Sequence, residues 1–339
     1  MARRFVIANT LGVLAAVGLV LGAVVYFNGW KTSELELDRE VLFVVQPGDS
    51  FQHVAAELED SGLINRRRLF RILGLLNGDL ASIQAGEYSF AQTTNPVSVL
   101  EKLTSGDVVK RQIRLPEGGT FRQFKEILQS ESKLAFDIDS ITVKDILEFL
   151  GESGEHKRFG EGWFFPDTYV FQMGDSASDV LRIAHDRMVE SLDGTWKSRT
   201  PCEDISSEYD LLILASLVEK ETSRKDEKPL VSGVFTRRLA KEMKLQADPT
   251  VIYGLGAEFD GDLKREHLRR PNEYNTYVNL GLPPTPIAAP SSESLHAAAH
   301  PAPGDALFFV GRGDGTTHFS STLKEHNEAV ERYQLGERD

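Results

Sequence analysis

An apolar run near the N-terminus constrains this chain more than any other feature. Met1-Ala2-Arg3-Arg4 leads into a stretch from Phe5 to Phe27 that carries no charge; Asn9 and Thr10 are its only polar side chains. Coiled at about 1.5 Å per residue, the run spans roughly 34 Å, more than the ~30 Å of hydrocarbon in a bilayer. Arg3 and Arg4 precede it, and acidic residues dominate the stretch after Lys31. The positive-inside rule then keeps the N-terminus in the cytoplasm and places the body outside. A cleaved signal peptide is the competing reading. Its apolar region is normally about 7–15 residues and closes on small residues. Here Tyr26, Phe27, Asn28, Gly29 and Trp30 follow instead, as an interfacial border. The expectation is an uncleaved single-pass anchor in the cell inner membrane, with a periplasmic body.

That body is long enough for a sizeable core: the chain has 339 residues, 41% hydrophobic and 26% charged. Its net charge of -13 repels phosphate, which argues against nucleic acid as a partner. A single cysteine, Cys202, excludes an intrachain disulfide or a four-thiolate zinc site and reads as a bystander.

A strand–helix pattern occurs twice. Phe43-Val44-Val45-Gln46-Pro47-Gly48-Asp49-Ser50-Phe51 reads as strand, turn and helix start, with Asp49 or Ser50 as the cap. Gln112-Ile113-Arg114-Leu115-Pro116-Glu117-Gly118-Gly119-Thr120-Phe121 repeats it. A strand over residues 84–90 closes the first copy. The aromatic-rich run 161–171 occupies the equivalent place in the second, as core or as a platform for sugars. Residues 193–207 read as a linker. Helical periodicity then runs from Tyr209 to about Arg224 and from Lys228 to Met243. A hairpin is expected over 306–320, followed by a last helix over Thr322–Tyr333.

On the helix after Tyr209, Leu211, Leu214, Ala215, Leu217 and Val218 define an apolar face. At 100° per residue Glu221 falls about 40° from its centre and Glu219 about 120° away, toward the edge or solvent. A carboxyl group on an apolar face loses solvation, which raises its pKa toward that of a general acid. The plainer alternative is that the helix leaves the core there and Glu221 pairs with Lys225. Farther on, Gln246, Asp248, Thr250 and Tyr253 cluster, with Asp248 placed to cap a helix that has Pro249 at its first position. Tyr274-Asn275-Thr276-Tyr277 precedes Gly281-Leu282-Pro283-Pro284. Such a polar and aromatic set suits a sugar.

Together these motifs resemble the YceG-like family of membrane-anchored endolytic murein (peptidoglycan) transglycosylases. The likeness is carried by Phe164-Phe165-Pro166-Asp167-Thr168-Tyr169, by Ala215-Ser216-Leu217-Val218-Glu219-Lys220-Glu221-Thr222 and by Leu245 to Gly254. Tyr274 to Tyr277, Gly281 to Pro284 and Ala297-Ala298-Ala299-His300-Pro301 complete it. The resemblance implies an α+β protein: an anchor (1–30), a small LysM-like unit (40–107), a second strand–helix unit (108–200) and a mainly helical, lysozyme-like catalytic domain (201–339). It implies Glu221 as the catalytic acid, followed by Thr222 where lytic transglycosylases carry serine. Thr222, Gln246, Tyr274, Asn275 and Tyr277 become substrate-binding candidates.

The implied chemistry is non-hydrolytic cleavage of the β-1,4 bond between N-acetylmuramic acid and N-acetylglucosamine, leaving a 1,6-anhydro end. It needs no cofactor, and His296, His300, His318 and His326 lack a metal-ligand spacing. Peptidoglycan strands are the expected partner, with peptidoglycan synthases at the membrane. Two other readings stay open. A hydrolytic muramidase needs a second carboxylate, Asp248 or Glu273. A tethered glycan-binding scaffold, or a chaperone-like protein, needs no catalysis.

Overall fold

The computed structural model describes residues 2–80, 82–152 and 159–335 of a mixed α+β protein. The chain divides into two compact units, residues 1–111 with 172–174, and residues 112–171 with 175–339.

The first unit opens with α1 (Ala2–Lys31). Within it, Thr10–Lys31 is long and apolar enough to cross a membrane. The side chains of Arg3 and Arg4 lie outside the described part. Leu11, Leu14, Leu19 and Val25 are exposed, as lipid-facing residues must be. The last turn differs. Trp30, expected at the membrane interface, is buried in the core of this unit, and its indole N–H donates to Asn65 Oδ1 at 2.7 Å. The helix runs straight into the folded body, where an indole fills space once its one donor has a partner.

The remaining elements are β1 (Leu35–Glu36), β2 (Val41–Val45), α2 (Phe51–Asp60), α3 (Arg67–Asn77), β3 (Gly86–Phe90), β4 (Thr93–Thr94) and α4 (Pro96–Ser105). Strands β2 and β3 pair antiparallel, Val41 opposite Phe90 and Val45 opposite Gly86. Ser50, not Asp49, caps α2, accepting from His53 N–H at 3.2 Å. Asp49 closes the preceding turn by accepting from Gln46 N–H at 2.7 Å, with Gly48 at φ +89°. Val54, Leu58, Phe70, Tyr88 and Leu103 form the core.

The second unit contains β5 (Lys110–Arg114), α5 (Phe121–Ser130), α6 (Ile146–Phe149), β6 (Thr168–Gln172), α7 (Ala177–Ser198), α8 (Glu208–Glu221) and α9 (Lys228–Ala240). It continues through α10 (Asp248–Leu255), α11 (Arg265–Arg269), α12 (Ser292–Ala299), the hairpin β7 (Phe308–Gly311) and β8 (Thr317–Ser320), and α13 (Leu323–Val330). The second strand–helix copy starts as the first does, with Thr120 and Gln123 capping α5 reciprocally. Trp163, Phe164, Tyr169 and Phe171 are buried, so these rings are core and no sugar platform.

The expected linker at 193–207 is shorter, because α7 runs to Ser198. Ser176 and Asp179 cap it reciprocally, and Ala184, Met188 and Leu192 carry it at helical spacing. Helix α8 is buried on every side from Leu211 to Val218. Contacts from α7, α9, α10 and α12 surround it. In the hairpin, Phe308 lies opposite Ser320 and Gly311 opposite Thr317. Buried Glu227, just before α9, pins it by accepting from Thr317 N–H at 2.9 Å and Thr317 Oγ1 at 2.6 Å.

Candidate active site

Helix α8 ends at Thr222, whose extended backbone (φ -148°, ψ 137°) breaks the helical run. Its hydroxyl accepts from Arg224 N–H at 3.1 Å and faces Glu227 Oε2 at 3.4 Å, so it shapes the turn. Two carboxyl groups stand in the helix's last turn. The helical wheel puts Glu219 toward the edge of the apolar face or solvent; its side chain is only 7% exposed. Its Oε2 accepts from Ser291 Oγ (2.5 Å), Ser294 Oγ (2.7 Å), Ser291 N–H (3.0 Å) and the buried Lys228 ammonium (2.9 Å). Packing of α12 over α8 leaves no solvent face there, which is why the wheel misplaces Glu219. Burial alone pushes Glu219 up, but these donors outweigh it and hold the carboxyl below its ordinary pKa.

Glu221 is the opposite case. Among the described residues its carboxylate accepts no hydrogen bond. Lys225, the partner of the plainer reading, pairs with Glu293. The residue keeps partial exposure, yet its carboxyl is so enclosed that burial pushes the pKa to about 8. The negative charge of Asp248 adds to the rise, and the Arg238 guanidinium opposes it. Arg238 is itself buried and locked: its Nε donates to Leu307 O at 2.6 Å and its Nη1 to Leu245 O at 2.7 Å.

The segment facing Glu221 is held by its own hydrogen bonds. Gln246, exposed, sits at φ +50°, a left-handed conformation that costs a non-glycine residue energy. Its N–H donates to Thr276 O at 3.2 Å, and Ala247 N–H donates to Thr276 Oγ1 at 3.0 Å. Thr250 and Thr276 hydroxyls meet at 2.9 Å. Asp248 does not cap α10 with its side chain as expected; it begins the helix and accepts from Tyr277 Oη at 2.5 Å. Asn275 is fully buried. Its amide donates to the carbonyls of His267, Leu268 and Arg270, and its Oδ1 accepts from Tyr277 N–H at 2.9 Å.

Beside this cluster lies a groove of about 840 Å3. Ile252, Tyr253, Tyr274 and Ile287 line it, and Arg122, Lys125, Lys144 and Lys220 stand along it. Glu161, only 3% exposed, is built into its wall. Its Oε1 accepts from Phe121 N–H at 2.8 Å at the start of α5, and its Oε2 from Tyr253 Oη at 3.0 Å. Burial raises this carboxyl to about 7, against the pull of those bonds and of Arg122. The next residue, Gly162, sits at φ +81°, and a Cβ there would lie 2.5 Å from Pro286. Only glycine lets Glu161 take this place. The Tyr253 and Tyr274 rings meet edge-on at 4.9 Å.

The profile of the YceG-like family matches residues 43–332. The chain belongs to the YceG-like family. This YceG-like protein is 30% identical over 331 residues to an endolytic murein transglycosylase of Bacillus subtilis, covering 93% of this chain and 91% of that one. An endolytic murein transglycosylase of Streptococcus pneumoniae (strain D39) is 26% identical over 320 residues, covering 84% of this chain and 57% of that longer protein. A YceG-like protein of Listeria monocytogenes, known from a 2.6 Å crystal structure, superposes with a TM-score of 0.56 at 27% identity. That match covers 86% of this chain and 99% of that one.

In this YceG-like protein the expected site residues fall into three groups. Glu221 and Tyr277 share one cluster with Asp248, and Gln246 lies two residues from Asp248. Tyr274 lines the groove with Tyr253 and gives its hydroxyl to a 3.1 Å contact with Thr285 Oγ1. Asn275 and Thr222 spend their polar atoms on the backbone and turns around them. Sequence reasoning missed Arg238 and Glu161. Arg238 falls at helical spacing from Val231, Val234 and Phe235, on the apolar stripe of its helix, and Glu161 opens an aromatic run whose one other carboxylate is Asp167. Both are visible signals.

Proposed function

We propose that this protein is an endolytic peptidoglycan lytic transglycosylase, with Glu221 as general acid and then general base. The observation that carries the reading is the setting of Glu221: an enclosed carboxyl that accepts no hydrogen bond among the described residues, where burial pushes the pKa up to about 8. A proton held at a pKa near the working pH is what a leaving sugar oxygen requires. Glu221 gives this proton to the oxygen between N-acetylmuramic acid and N-acetylglucosamine as the bond from the muramyl C1 breaks. The carboxylate then takes the proton of the muramyl C6 hydroxyl, whose oxygen bonds to C1 of its own ring. The acid is restored, no water is consumed, and a 1,6-anhydro end remains. The substrate's N-acetyl group assists. Because nucleophile and electrophile share one ring, much of the entropic cost is already met. Tyr277, Gln246 and Tyr274 are the side chains in position to touch sugar; Asn275 and Thr222 hold the loops that present them.

In this reading the first unit is LysM-like and keeps glycan near the bilayer, and the second is a remote relative of the lysozyme-like transglycosylases. The single-pass anchor sits in the inner membrane with its N-terminus in the cytoplasm. It confines cleavage to nascent strands beside the synthases, so that cutting ends strand elongation. A second reading has a specific observation behind it: Asp248 lies close enough to raise the pKa of Glu221, and a second carboxylate is what a hydrolytic muramidase needs. Mass analysis of glycan strands treated with the full-length protein in detergent separates the two. Anhydromuramyl ends are the expected product, reducing ends mean hydrolysis, and intact strands defeat the enzyme reading.

A further inference from the structure

We propose that the groove beside Glu221 is a binding site for the peptide stem of the muramyl substrate, with Arg122 and Lys144 as receptors for the stem's carboxylates. The inference rests on the peptidoglycan reading and adds a recognition element to it.

The chain carries a net charge of -13, yet four cations gather along this one groove. Two have committed donors: Lys125 bonds the carbonyl of Ile141 at 3.0 Å, and Lys220 that of Gly118 at 3.1 Å. Arg122 and Lys144 are exposed, and among the described residues neither side chain makes a hydrogen bond or an ion pair. Charge exposed in a groove without a hydrogen-bonded or ion-paired partner favours an anionic ligand. Two carboxyl groups also line the groove: Glu273, exposed, and Glu161 in the wall, which burial raises to about 7 and which accepts two hydrogen bonds. Below neutrality Glu161 is largely protonated and cancels little of the positive field, and the four cations outnumber the two carboxyl groups.

The glycan backbone cannot be that anion. N-acetylglucosamine is neutral, and the lactyl carboxyl of N-acetylmuramic acid is spent in the amide bond to the stem. The free carboxylates of the substrate belong to the peptide. Position agrees with chemistry. Lys220 and Pro249 line the groove. Their chain neighbours are Glu221 and Asp248, and consecutive Cα atoms lie about 3.8 Å apart. Glu221 itself does not line the groove, but a stem hanging from the muramyl ring whose bond is cut there has only the width of a neighbouring residue to cross before reaching it. The walls of Ile252 and Tyr253 offer apolar surface for short peptide side chains, and the guanidinium of Arg122 suits bidentate binding of a carboxylate.

The test compares full-length wild type with the double variant Arg122→Gln/Lys144→Gln. Both residues are exposed, and circular dichroism checks the fold. Cleavage efficiency is measured on stem-bearing strands and on the same strands stripped of peptide by an amidase, with the freed lactyl carboxyl capped as a neutral amide. Binding of a soluble muramyl peptide and of its stem-free disaccharide, capped in the same way, is measured by calorimetry. In wild type we expect preference for stem-bearing glycan and for the muramyl peptide. The variant should lose roughly tenfold of both preferences, as loss of charged hydrogen bonds implies. Equal ratios in variant and wild type would overturn the groove assignment while leaving the transglycosylase reading intact. If wild type cut neither substrate but bound the muramyl peptide through Arg122 and Lys144, the groove would stand and the enzyme reading would fall.

Discussion

The two sides of the last turn of α8 set the same functional group in opposite conditions. Toward α12, Glu219 receives four donors on one oxygen and stays ionised although nearly sealed from water. Toward Arg238 and Asp248, Glu221 receives no hydrogen bond among the described residues and stays protonated to about pH 8. Burial is common to both, so burial does not decide the charge. The count of donors decides it. One side spends a carboxylate on joining helices; the other keeps a proton available in a cleft. The difference also says why two glutamates so close in sequence are not interchangeable.

The largest expected effect breaks the Glu221 side. Glu221→Gln keeps the shape and nearly the helix propensity while removing the titrating proton. Release of anhydromuramyl ends should fall by about 10²–10⁴-fold, the usual worth of general acid catalysis. The melting temperature should hold or rise slightly, because a poorly solvated acid is lost. A folded variant with near-normal activity would place the acid elsewhere.

A stability effect should break the Glu219 side. Glu219→Ala leaves the Lys228 ammonium, itself 4% exposed, without its charge partner. Removing one partner of a buried pair typically costs about 3–5 kcal/mol. In a unit of this size that lowers the melting point by roughly 10 °C. Per folded molecule, cleavage should change only a few-fold. A variant that melts like wild type but cleaves poorly would mean that Glu219, not Glu221, is the acid.

Much of this contrast could be read before any coordinates. The apolar run, the two strand–helix starts, α8 and the hairpin follow from local rules: hydrophobic period, caps and turns. The place of Glu221 near the core also followed, because the wheel needs only the angle to the apolar face. Glu219 did not follow, since a wheel assumes water on the far side, and α12 comes from residues some seventy positions later. Trp30 failed for the same reason: an indole after a membrane run looks interfacial until Asn65 is brought to it. Asp193–Ser198 looks like linker by composition, but the helix that enters from Ser176 carries through. Asn275 reads as a sugar ligand by type, whereas its partners are three carbonyls that only the folded loop brings within reach.

The finest test sharpens the contrast through Asp248. Its negative charge is one reason Glu221 stays protonated, second to burial. Asp248→Asn keeps an acceptor for the Tyr277 hydroxyl and removes the charge. The ionised form of Glu221 is then less opposed, so its pKa falls. In the proposed mechanism Glu221 donates only while protonated, so cleavage efficiency in wild type should decline above about pH 8. In the variant that decline should begin at lower pH, by a few tenths to about one unit. Linkage gives the same sign in stability. A carboxyl raised from 4.5 to about 8 contributes fully below 4.5 and loses that contribution as pH climbs through 8. The window of loss should end earlier in the variant. Peak cleavage should drop only a few-fold if the C6 hydroxyl is the nucleophile, because no second carboxylate takes part. If Asp248 instead activated water, the variant would lose turnover by orders of magnitude at every pH, and the wild-type products would carry reducing ends. The direction of the pH limb and the depth of the loss are thus separate readings of one side chain.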